Sequence, residues 1–139
     1  MSADQLLNLG IVLSKGETNV DLPFSLEEDQ AEAFQVNPDL FATGRTCVIG
    51  SSGSGKSYTV AVICEELCKH KVPFVIVDTE GEYSGLKEKF PVIWIGDDPK
   101  CDIRWKDKID LKALGKKAPD LAPIVFDISE VPRPREKVH

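Results

Sequence analysis

Eight consecutive residues constrain this chain more than any other feature: Gly50-Ser51-Ser52-Gly53-Ser54-Gly55-Lys56-Ser57, which spell G-x-x-x-x-G-K-S. Ahead of them, Thr46-Cys47-Val48-Ile49 is short, apolar and rich in β-branched residues, and reads as a buried strand. Behind them, Lys56 to His70 places Val60, Ile63, Cys64 and Leu67 on one face at helical spacing. Strand, glycine-rich turn and helix form the setting in which this pattern cradles phosphate. The glycines let the backbone wrap an anion at positive φ. The amides of Gly53, Ser54, Gly55, Lys56 and Ser57 then make an anion nest at a helix N-terminus. Lys56 supplies a point charge for the outer phosphates, the Ser57 hydroxyl a ligand for Mg2+, and the Tyr58 amide a contact to the α-phosphate. Gly50, Ser51 and Ser52 complete the loop. The reading is a nucleoside triphosphate site.

Phosphoryl chemistry also needs an acidic group, commonly at the end of a buried strand. Two strands offer one. Asp78 ends Phe74-Val75-Ile76-Val77, and Asp127 ends Ile124-Val125-Phe126. Asp78 is favoured by its C-terminal neighbours, Thr79-Glu80-Gly81-Glu82-Tyr83. Carboxyl ends of strands face the nucleotide in open α/β sheets, so Asp78 is a magnesium candidate and Glu82 a carboxylate able to polarise an attacking water.

Gly50 to Ser57, together with Asp78-Thr79-Glu80-Gly81-Glu82-Tyr83-Ser84, resembles the HerA-type ATPases of the HerA/FtsK superfamily, whose second motif reads D-x-x-G-E-Y. The resemblance covers roughly residues 40–130, and Pro123 to Ser129 also looks like a strand of that family. It implies ATP as the nucleotide, with Lys56, Asp78 and Glu82 catalytic and Ser57 and Asp78 on the metal. It further implies a homo-hexameric ring, an arginine finger from a neighbouring subunit, duplex DNA in the pore and a nuclease partner. The family's principal acidic pair lies further downstream, and Asp127-Ile128-Ser129-Glu130 is not that pair. We therefore expect an N-terminal piece of a longer ATPase.

The remaining sequence sets the frame. Strands alternating with helical segments, the strands apolar throughout, predict an α/β fold of the P-loop (RecA-like) type, with a parallel sheet covered on both faces. Val92–Gly96 is a third strand of that sheet, and 111–117 a short helix. Residues 1–44 are expected as a lead-in segment and 45–139 as the ATPase domain. In the lead-in, Leu7, Leu9, Ile11 and Leu13 alternate, as do Val20, Leu22 and Phe24, so a hairpin is expected, then a short helix from Ser25 and a break at Asn37-Pro38. The net charge of −6 gives no composition signal for nucleic acid. No apolar run is long enough to span a bilayer and the N-terminus lacks a signal peptide, so a cytoplasmic protein is expected. Cys64, Cys68 and His70 make a metal site conceivable, but buried free thiols are the simpler reading. Trp94 and Trp105 read as packing residues, and the lysines between 106 and 117 as a solvated face. Two other functions stay open on the residues: a small complete P-loop kinase using Asp127, and a nucleotide-binding module without catalysis. A GTPase is disfavoured, since no N-K-x-D motif occurs.

Overall fold

The computed structural model describes residues 6–11, 33–105, 107, 109–117 and 122–131. Contacts divide the chain into two compact units, Met1–His70 and Lys71–His139.

In the first unit, β1 (Leu7–Ile11) pairs antiparallel with β2 (Ala33–Val36). The register shifts between Asn8 and Gly10, where Gly10 has φ +152°, a conformation that an L side chain rarely adopts. The expected hairpin partner (Val20, Leu22, Phe24) and the helix from Ser25 lie outside the described residues. A short helix α1 (Asp39–Thr43) follows Asn37-Pro38, with the Asn37 side chain accepting from the Asp39 amide at 2.9 Å. The long helix α2 (Lys56–Lys69) begins where the sequence predicts. Its buried face carries Cys64 and Leu67 and, unexpectedly, Glu66. That carboxylate accepts from the Asn8 amide at 2.9 Å and pairs with Lys69, which ties α2 to β1. Burial alone would raise the Glu66 pKa, but the bonds from Lys69 and Asn8, with the charges of Lys69 and His70, outweigh it and hold it below the ordinary carboxylate value. Leu7 is fully buried beside this junction.

The predicted strand at Thr46–Ile49 does not form. Residues 45–50 adopt no regular structure, and Ile49 is 87% exposed. A run of this length gains little as an extended segment without a neighbour to complete its ladder of hydrogen bonds. No strand of its own unit, among the described residues, pairs with it.

The second unit is a four-stranded parallel sheet in the order β3 (Val75–Asp78), β6 (Ile124–Asp127), β4 (Ile93–Gly96), β5 (Ile103–Arg104). A 3-10 turn at Ser84–Glu88 lies between β3 and β4, and helix α3 (Leu111–Lys117) between β5 and β6. This is an α/β architecture consistent with a P-loop nucleotide hydrolase. The β-branched runs form the strands, and β6, paired on both sides, buries Ile124 and Val125 almost completely with Ile95 of β4. Coverage on both faces is not uniform, since Val75 and Val77 on β3 are more than half exposed. Strand β5 and the 3-10 turn were not read from the sequence.

Replacing Ile95 by Ala should cost about 3 kcal/mol, because a buried Ile leaves a cavity, whereas Val77→Ala should change stability by less than about 0.5 kcal/mol. Guanidinium unfolding followed by the fluorescence of Trp94 and Trp105, both in the second unit, checks this.

Candidate nucleotide site

The turn from Gly50 to Gly55 is built for close approach. Gly53 has φ +74° and Gly55, the residue capping α2, has φ +89°. An L side chain is strained at either position, costing about 1–2 kcal/mol. A Cβ on Gly50 would lie 2.2 Å from the Ser54 hydroxyl oxygen. The first turn of α2 is tied to the loop, the Thr59 amide donating to the Gly55 carbonyl at 2.9 Å and the Thr59 hydroxyl to the same oxygen at 3.0 Å. The Lys56 ammonium folds back to donate to the Ser51 carbonyl at 2.7 Å. Ser51, Ser52, Gly53, Ser54 and Gly55 are exposed, and Lys56 and Ser57 half-buried. The Tyr58 ring is exposed and borders an open groove with Asn8, Val62, Glu66 and Lys69. Left-handed glycines, a helix N-terminus and a lysine held over the same loop are the donor set that an anionic phosphate chain requires. These residues fit a triphosphate, and the Ser57 hydroxyl suits a hard cation that takes oxygen ligands.

In the second unit, Asp78 and Asp127 end adjacent parallel strands and pair in register. Asp78 is 1% exposed. Its Oδ1 accepts from the Glu80 amide at 3.2 Å and the Gly81 amide at 2.8 Å, and its Oδ2 from the Tyr83 amide at 2.9 Å. Glu82 is exposed. Asp127 is the hub of the next loop: Oδ1 accepts from the Ser129 amide at 3.0 Å and the Ser129 hydroxyl at 2.6 Å, and Oδ2 weakly from the Trp94 indole at 3.4 Å. The Trp105 indole donates to the Asp127 carbonyl at 2.8 Å, with its ring 5.1 Å from that of Phe126. Both tryptophans therefore pack beside this strand end, as their sequence reading expected. The Ser129 role was missed; a serine two residues after an aspartate is the signal of such a turn.

The family model described as "Helicase HerA, central domain" matches residues 26–132. That span exceeds half of the chain and contains the glycine-rich loop, both strand-end aspartates and the D-x-x-G-E-Y motif. The chain belongs to the HerA central-domain family. Membership makes it one of a family of P-loop ATPases, which use nucleotide. No curated protein and no solved structure matches the chain significantly. Among the described residues, no helix is long and apolar enough to cross a membrane.

The conceivable metal site at Cys64, Cys68 and His70 finds no support in the geometry, since no group of three or more ligating side chains gathers among the described residues. Burial, then the neighbouring Cys68, pushes the Cys64 thiol up to about 12. Burial, then the charge of Glu65, pushes Cys68 up to about 11. Thiolate is the reactive form, so both should resist Ellman's reagent near pH 8 and react only on unfolding or as the pH nears those values, while exposed Cys47 labels first. Timed labelling with peptide mapping reads the order.

Proposed function

We propose that this chain is the ATP-binding part of a HerA-type ATPase that drives DNA translocation or unwinding in DNA processing. The observation that carries the nucleotide reading is the loop at Gly50–Ser57, with left-handed Gly53 and Gly55 feeding directly into α2. In this reading the amides from Gly53 to Ser57 bind phosphate oxygens, with the Tyr58 amide on the α-phosphate. Lys56 exchanges the Ser51 carbonyl for the β- and γ-phosphates, and the Ser57 hydroxyl holds magnesium. Bound magnesium supplies charge neutralisation at the transferring phosphate. Glu82, on the D-x-x-G-E-Y motif that begins at Asp78, polarises the attacking water. Adenine as the base, a hexameric ring, duplex DNA in its pore and a nuclease partner belong to this proposal and rest on the motif resemblance.

Calorimetry of the chain with ATP and magnesium tests the reading. Lys56→Ala should weaken binding by roughly 10- to 100-fold, the range of one charge-assisted hydrogen bond. Equal affinity in wild type and Lys56→Ala would remove the phosphate-loop assignment. For the DNA role, hydrolysis should rise when duplex DNA is added to the assembled protein, and a flat response argues for a nucleotide-binding module instead.

A further inference from the structure

Asp78, the last residue of β3, is an acidic side chain with almost no exposed surface. An ionised carboxylate is costly to bury unless its oxygens are hydrogen-bonded. Here the partners are three backbone amides, all from the next five residues of the chain: Glu80, Gly81 and Tyr83. Successive amides converging on an anion form the same arrangement that binds free phosphate, but the anion is the chain's own side chain. The loop can curl this tightly because Gly81 takes φ +76°. It has a second wall: a Cβ on Gly81 would sit 3.2 Å from the Ser129 hydroxyl oxygen, which is itself bound to Asp127. The three amide bonds bracket Glu82, whose amide Asp78 does not engage and which is exposed.

A magnesium ligand would need different surroundings. Magnesium takes carboxylate oxygens at about 2.0–2.1 Å in a strict octahedron. Around Asp78 the positive ends of three N–H dipoles already point at both oxygens, which lowers the attraction left for a cation. We propose that Asp78 is a positioning residue: its carboxylate anchors the Thr79–Tyr83 loop through three amides, so that Glu82 is presented from a fixed backbone, and it does not itself ligate magnesium. The proposal rests on the nucleotide reading above for the reaction that Glu82 serves.

The test compares wild type, Asp78→Asn, Ser57→Ala, Glu82→Gln and the Asp78→Asn/Glu82→Gln double variant of the same chain. ATP affinity is measured by calorimetry in magnesium and in EDTA. Asp78→Asn should keep the wild-type ratio of the two affinities within about twofold, while Ser57→Ala loses it. Backbone exchange by NMR should show the Gly81 and Tyr83 amides about tenfold or more faster in Asp78→Asn. Turnover of ATP should fall about tenfold or more at unchanged KM, and the double variant should be no slower than Glu82→Gln alone. Loss of the magnesium contribution in Asp78→Asn overturns the proposal, as do unchanged exchange, an additive double variant or a wild type without turnover. Should wild type fail to bind ATP at all, the nucleotide reading falls. The exchange measurement then still separates an anchored loop from an unanchored one.

Discussion

The second unit depends on one central strand and the two ladders it makes. Ile124–Asp127 inserts between Val75–Asp78 and Ile93–Gly96, and every ladder bond it makes joins segments far apart in sequence. The loop-closure entropy of those long connections must be met by the burial of Ile124, Val125 and Ile95. Because the pairing is parallel and in register, the two strands end at the same level, with Asp78 opposite Asp127. The two loops that leave the sheet there can then pack together, with Gly81 against Ser129. Register in the middle of the sheet thus sets the geometry of the acidic rim.

Much of this was legible in the sequence, and for identifiable reasons. Strands β3, β4 and β6 are runs of branched apolar residues ending at a glycine or an aspartate, and α2 has a clear 3.6-residue repeat behind a capping glycine. The D-x-x-G-E-Y motif marks the loop whose amides converge on Asp78. The roles inside that loop were not legible. Nothing in the letters shows that Asp78 accepts from amides two, three and five residues on, because that depends on how the chain curls after Gly81. In the sequence Asp127 is a strand-end candidate for the acidic group of phosphoryl chemistry, and its bonds to Ser129 and Trp94 emerge only from the fold. Strand β5 is two residues long, too short for any period to register.

The segment before the phosphate loop illustrates the limit of local pattern. Thr46-Cys47-Val48-Ile49 has every local feature of a buried strand, yet its Ile49 is the most exposed of the large hydrophobic residues described. β-propensity records how well a side chain suits a pleated, half-buried surface. It does not supply the neighbouring strand. In the same way, Val75 and Val77 belong to a well-formed strand, but among the described residues only one edge of that strand is paired.

The folded-back Lys56 has a consequence for how affinity arises at the phosphate loop. Its ammonium already has a partner, the Ser51 carbonyl at 2.7 Å, inside the loop that it serves. In the proposed nucleotide reading, capture of a phosphate by this side chain would be an exchange reaction: one acceptor leaves as another arrives. The lysine contributes the difference between a doubly charged contact and a charge–carbonyl contact, not the whole of the former. In return, this hydrogen bond places the ammonium at the glycine turn, and to the extent that it orders the side chain, less freedom is left to lose when an anion binds.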